Sequence, residues 1–160
     1  MDNIQLRQID SSDDRTLNHV ASLFSEMYQY MEEHGLMINL TDDGPDKWIN
    51  SLKRTLNRFS ILVVAEDGGQ PVGFAVGALS VTPDYLGNRK VGVVTHIFVR
   101  PEFREQKIAT ELLSKLEQWF KEKKVHSIEL QVLAENDDAI DFWKRMGYEN
   151  ELYQFRKLNQ

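Results

Sequence analysis

Between Val91 and Phe120 the hydrophobic period of this chain changes from that of a strand to that of a helix, with a proline and a basic loop at the changeover. Val91-Gly92-Val93-Val94-Thr95-His96-Ile97-Phe98-Val99 is β-branched and apolar and reads as a long strand, closed by Pro101. Ile108, Ala109, Leu112, Leu113, Leu116, Trp119 and Phe120 then recur at the spacing that puts them on one helical face. Lys121, Lys123 and Lys124 follow, where they oppose the negative end of the helix dipole. A long strand feeding straight into an amphipathic helix calls for a sheet with helices packed on it.

The flanking segments extend that pattern. Ile4 to Ile9 alternates like a half-buried strand, and Asp10-Ser11-Ser12-Asp13-Asp14 offers helix caps. Leu17, Val20, Ala21, Phe24, Met27, Tyr28 and Met31 mark one face of a helix expected to end near Gly35. Pro45 suits the first turn of a second helix, with Trp48, Leu52 and Leu56 on one stripe. Ile61–Glu66 and Val72–Leu79 read as a hairpin around Asp67-Gly68-Gly69-Gln70. A strand Ser127–Leu133, a helix from about Asp137 to Met146 stopped by Gly147, and a last strand near Leu152–Leu158 complete the order β-α-α-β-β-β-α-β-α-β.

With 160 residues at 41% hydrophobic content the chain can fill one core and is short for two, so residues 1–160 are read as a single domain. No apolar run approaches the roughly 18 residues that span a bilayer, and no basic leader opens the chain, so no membrane association is expected. The absence of cysteine rules out a disulfide framework or thiolate site and fits a reducing cytoplasm. His19, His34, His96 and His126 lack close ligand spacing, so no metal is expected. A net charge of −6 argues against a nucleic-acid partner. The acidity is concentrated: residues 1–50 hold ten acids and three bases, read either as a solvated helical surface or as a field that attracts cations.

The junction from Val99 to Ala109 has the makings of an anion site. The first amides of a helix have no helical partner and the aligned dipoles place positive potential there, to which Arg100, Arg104 and Lys107 add full charges. Val99 to Leu113 resembles the acetyl-CoA motif of the GNAT acetyltransferases, V-x-P-x-x-R-x-x-G-x-G/A followed by a leucine-bearing helix. Asn136, Ala139, Phe142, Lys144, Gly147 and Tyr148 resemble the family's second motif, N-x-x-A-x-x-F-Y-x-K-x-G-F.

The resemblance implies an α/β fold with a mixed, largely antiparallel sheet of about six to seven strands flanked by about four helices. It also implies direct transfer of acetyl from acetyl-CoA to a primary amine. The cofactor's pyrophosphate would rest on Arg104, Glu105, Gln106, Lys107, Ile108, Ala109 and Thr110, its pantetheine arm beside Ile97, Phe98 and Val99, with Asn136 near that arm. In the family a bulge often splays the fourth strand from the fifth. Gly92 marks either that irregularity or close packing.

Three stretches depart from the family pattern. Lys107 stands where glycine is usual, and would be strained if the backbone there needs positive φ; Glu105 also replaces a common glycine. Trp143 replaces the tyrosine that can protonate the departing thiolate, and reads as core packing with Phe142, Met146 and Tyr148. Thr95-His96 lies where many relatives carry a carboxylate base. His96 is the candidate base, although alternation could aim Thr95 at substrate instead, and Glu129 and Gln131 on the next strand are weaker candidates.

The acceptor is expected to be a cationic small-molecule or peptide amine, facing Tyr28, Tyr30, Glu32, Glu33, Asp42 and Asp43. A homodimer is compatible with the resemblance, but no seam is legible. The contrasting reading is a non-catalytic acyl-CoA-binding module that acts as sensor or partner-binding domain.

Overall fold

The computed structural model describes residues 3–105 and 107–160. Strands β1 (Ile4–Gln8), β2 (Ser60–Asp67), β3 (Gln70–Val81), β4 (Lys90–Val99) and β5 (Ser127–Leu130) form one sheet in the order β1-β2-β3-β4-β5. Neighbours run antiparallel as far as β4, and β5 lies parallel to β4. Helices α1 (Asp14–Glu33) and α2 (Gly44–Lys53) cover one face. Helices α3 (Ile108–Glu122) and α4 (Asp137–Arg145) lie on the other.

The alternation of strand side chains divides the core in two. Ile61, Val63 and Ala65 of β2 join Leu112, Leu113, Leu116 and Phe120 of α3, while Leu62 and Val64 join Leu17, Val20, Phe24 and Leu52 of the opposite layer. Gly77 of β3 and Gly92 of β4 leave the space in which the Phe120 ring lies, since a Cβ on either would stand 2.7 Å from that ring. At Gly92 it is therefore close packing, and not the strand irregularity, that is observed.

Asp13 starts α1 by accepting a hydrogen bond from the Thr16 N–H at 3.1 Å, a cap worth about 1 kcal/mol. That N–H, with smaller help from the Thr16 side chain and from Arg7, holds the Asp13 carboxyl below its usual range. Arg7 also pairs at 2.8 Å with the buried Glu66, tying the start of α1 to the β1–β2 edge.

Four expectations require correction. The sheet has five strands among the described residues rather than six or seven. β5 stops at Leu130 instead of Leu133. Residues 149–160 form no strand: the alternation of Leu152–Leu158 is present, but the segment lies exposed with no ladder partner, and a strand exists only by pairing. Helix α2 likewise ends before Leu56, which still packs on its stripe. Among the described residues no helix is long and apolar enough to cross a membrane, and no group of three or more His, Asp or Glu could hold a metal ion.

Candidate active site

The irregularity that matters lies in β4 at Thr95, not at Gly92. Val76 of β3 is opposite His96 and Gly77 is opposite Val94, so Thr95 is an extra residue with no partner across the strand pair. The ladder to β5 ends at the same height, at Val94 and Leu130, leaving the outer edge of β4 from Thr95 to Val99 without a strand beside it. Ile97, Phe98 and Val99 remain paired to Ala75, Phe74 and Gly73 on the other side. The two strands thus part over the stretch expected to flank an extended ligand, and a strand edge that lacks its ladder can offer main-chain donors.

The bulge also decides which way His96 faces. Before it, Val94 packs on the α3 side; after it, Ile97 and Val99 do, and Phe98 belongs to the α1–α2 core. His96 accordingly meets Phe24 of α1 edge-on at 5.3 Å and Trp48 of α2 at 5.2 Å. Burial among these rings pushes its pKa down to about 4, so the imidazole is neutral at neutral pH. Its Nδ1 lies 3.0 Å from Thr95 Oγ1, and the Thr95 hydroxyl donates to the Val76 carbonyl at 3.3 Å. A hydroxyl whose one hydrogen is so committed must accept from Nδ1–H, which assigns the lone pair to Nε2.

The loop after β4 leads into α3 by an unusual route. Glu105 has φ 66° and Lys107 φ 64°, both in the left-handed region that favours glycine, so the motif's glycine geometry persists without the glycines. Lys107 is the N-cap of α3 and supplies no side-chain hydrogen bond to the first turn. The first intrahelical bond runs from Glu111 N–H to Lys107 O, and among the described residues the amides of Ile108, Ala109 and Thr110 have no helical partner. These are the groups an anion needs, and they fit a pyrophosphate. Gln106, assigned to the same site, lies outside the described residues.

Arg104 is placed differently from a simple phosphate clamp. Its Nε donates to the Val99 carbonyl at 2.9 Å, and its guanidinium stacks 4.6 Å above the Tyr30 ring of α1 and 5.7 Å from Phe98. Arg100 grips Glu26 of α1 through Nε and one terminal nitrogen, at 3.2, 3.3 and 3.0 Å. Both arginines therefore brace the loop against α1. Asn136, after β5, caps α4 by accepting from the Ala139 N–H at 3.2 Å, so the backbone takes its carbonyl oxygen and its amide nitrogen is the group left for a ligand.

The tyrosine-like positions contain no free acid. Trp143 is buried, edge-on to Phe142 and Tyr148 at 5.1 Å each. Tyr148 donates its hydroxyl to Glu117 of α3 at 3.0 Å, and burial together with the Glu117 charge raises its pKa. Tyr153 lies in the exposed segment. On the base side, Glu129 is exposed on β5 and Gln131 donates to Gln154 at 3.5 Å.

On the acceptor side, Tyr28 packs on Phe24 at 4.9 Å, Tyr30 stacks on His34 at 4.1 Å, and Asp43 pairs with Lys47 at 3.0 Å. Glu32, Glu33 and Asp42 are exposed. The Phe24–Trp48 wall and the two arginine braces have no signature in the sequence, because their partners meet only in three dimensions; the Arg100–Glu26 pair joins positions 74 residues apart.

Relatives carry the same architecture. An uncharacterised N-acetyltransferase of Methanocaldococcus jannaschii is 36% identical over 106 residues, covering 64% of this chain and 43% of its own length, so the match spans less than half of that relative. The aminoglycoside N-acetyltransferase AAC(6')-Iy in complex with CoA is 19% identical, with a TM-score of 0.74 over 96% of this chain and 94% of its own. A predicted acetyltransferase from Clostridium acetobutylicum with acetyl-CoA is 21% identical, with a TM-score of 0.74 over 98% and 96% of the two chains. At such identities these two structures establish a shared fold. Residues 17–148 match the model of the acetyltransferase (GNAT) family, and the chain belongs to that family.

Proposed function

We propose that this chain is an acetyl-CoA-dependent N-acetyltransferase that acts on a cationic primary amine by direct attack on the thioester. The observation that carries the proposal is the coincidence of the Thr95 bulge with the end of the β4–β5 ladder, beside the unpaired amides that open α3. Such a cleft suits an extended acyl donor, with its anionic end on the amides of Ile108, Ala109 and Thr110 and its thioester beside the free edge of β4. The ammonium first loses one proton to solvent, the neutral amine nitrogen attacks the acetyl carbonyl, the carbon–sulfur bond breaks, and CoA departs as thiolate. The proton shed by nitrogen goes to His96 Nε2, directly or through one water. A low pKa keeps that site vacant, and nitrogen becomes strongly acidic once bonded to the carbonyl carbon.

Aminoglycosides are polyamines, and the meta-AAC0020 acetyltransferase crystallised with sisomicin has the same fold, with 16% identity and a TM-score of 0.73 over 99% of this chain and 98% of its own. The exposed Glu32, Glu33 and Asp42 supply negative charge near the expected acceptor side, whereas Asp13, Asp14, Glu26 and Asp43 are already paired with local cations. A non-catalytic acyl-CoA-binding module is the second reading, favoured by the burial of Trp143 and the commitment of Tyr148 to Glu117. A screen of polyamines, aminoglycosides, amino acids and peptides with acetyl-CoA separates the two, provided that released CoA and acetylated product are measured together. Binding of CoA without product from any amine sinks the transferase.

A further inference from the structure

After the Thr95 bulge, His96, Phe98 and Arg100 follow one another on the α1–α2 side of the sheet, at the two-residue step that puts strand side chains in a row. Each of them meets α1. His96 lies edge-on to the Phe24 ring, Phe98 shares the core with Phe24 and Met27, and Arg100 holds Glu26 by three hydrogen bonds. Among the described residues Glu26–Arg100 is the one ion pair that joins α1 to the end of β4. It falls where the helix has little else to hold it. The fully buried residues of α1 end at Met27, and Tyr28, Tyr30 and Met31 of its last turns are only partly buried. The other end is fastened separately, by Asp13 to Arg7 and by Asp14 to Lys53.

The helices offer His96 rings and no charge. Its ring neighbours are Phe24 and Trp48, its partner on β3 is Val76, and among the described residues its one hydrogen bond goes to the adjacent Thr95. Of the charged groups next to those rings in sequence, Glu26 is taken by Arg100, Lys47 is taken by Asp43, and Asp46 is exposed. The dryness of the imidazole therefore depends on where α1 sits. We propose that the Glu26–Arg100 pair is a positioning contact that holds α1 against β4 and so keeps the Phe24 ring over His96, shutting water away from the imidazole. That His96 accepts a proton in acetyl transfer rests on the function proposed above; that the pair positions Phe24 does not.

Position and charge can be told apart because the two partners have opposite signs. Through its field alone, losing the Glu26 carboxylate would lower the His96 pKa, and losing the Arg100 guanidinium would raise it. Loosening α1 admits water to the ring in both cases, and water favours the charged imidazolium. Proton NMR of the imidazole against pH, with the His96 signal identified by its loss in His96→Gln, should find the wild-type ring titrating at about pH 4. In Glu26→Gln and in Arg100→Gln alike the titration should move up by about one unit or more. The Arg100 and Glu26 side chains are 34% and 42% exposed, so both variants are expected to fold and to melt close to the wild type. Shifts of opposite sign in the two variants would reduce the pair to a charge effect. Unchanged titration in both would mean that the core alone seats Phe24, and a wild-type ring titrating near 6.5 would mean that no water is shut out. Each of these three results overturns the proposal. The titration uses neither acetyl-CoA nor an amine, so a chain that transfers no acetyl group would still pass or fail it.

Discussion

On the α3 face of the sheet the side chains are apolar and the groups available for chemistry are main-chain amides, whereas on the α1–α2 face a titratable ring is embedded among aromatic side chains. The first arrangement is insensitive to pH and rests on shape: Phe120 fills the room left by Gly77 and Gly92, and α3 is held so that its first turn opens beside β4. The second is electrostatic, because Phe24 and Trp48 keep the His96 imidazole neutral. Under the proposed function, one sheet would separate the holding of a donor from the handling of a proton, with the β4 backbone as the shared wall.

The strongest way to break the comparison is to empty the α3 face. Phe120→Ala should cost about 3–5 kcal/mol in urea unfolding, since a fully buried ring is removed and the two glycines cannot refill the space. A loss below about 1 kcal/mol would mean that this face is not shape-determined.

His96→Gln probes the other face. Transfer at neutral pH should fall on the order of a hundredfold with CoA affinity unchanged. The wild-type profile should have its acidic limb near pH 4, well below the range of an exposed imidazole, and the variant should lose that limb. Stability has the same sign. Between about 6.5 and 4 the unfolded chain takes up a proton at His96 that the folded chain refuses, so stability is full above this window and falls as pH drops through it. Calorimetry across that range should show a shallower fall in the variant. A limb near pH 6.5 would show the ring to be solvated.

A smaller effect is expected where α4 joins the α3-side core. Trp143→Phe should lower the melting temperature yet leave turnover per folded molecule within about tenfold, because a departing thiolate, with a reference pKa of roughly 8.5, tolerates the lack of an acid. Abolished turnover with intact CoA affinity would give tryptophan a positioning role.

The smallest effect concerns the strained cap. Lys107→Gly should raise stability by up to about 1 kcal/mol by relieving the left-handed φ, and leave CoA affinity within about twofold if the amides do the binding. A tenfold loss in CoA affinity by calorimetric titration would place the ammonium on phosphate.

The α3 face is readable from residues because its information is local. The helical period of Ile108–Phe120, the cap at Asn136 and the glycine-like demand at Lys107 each sit within one turn of the residues that reveal them. The α1–α2 face is readable only as a helix stripe: Phe24 and Trp48 are legible as buried, but nothing in their spacing brings them to His96. The bulge is silent because Thr95 is as β-branched as its neighbours and interrupts no pattern. Leu152–Leu158 shows the opposite failure, since its alternation is genuine and the chain described supplies no partner for it.

Thr95 gives β4 something like a reading frame. Every side chain after it faces the side it does because one residue is inserted relative to β3. Absorbing Thr95 into a regular ladder would transpose the remainder of the strand, sending Ile97 and Val99 toward Trp48 and delivering His96 and Phe98 to α3, whereas deleting it would remove the bulge and leave those faces as they are. In comparisons within the family, the length of this stretch is therefore as informative as its letters. A relative that aligns only with a gap here would be expected to keep the faces of this strand and to lack the unpaired residue.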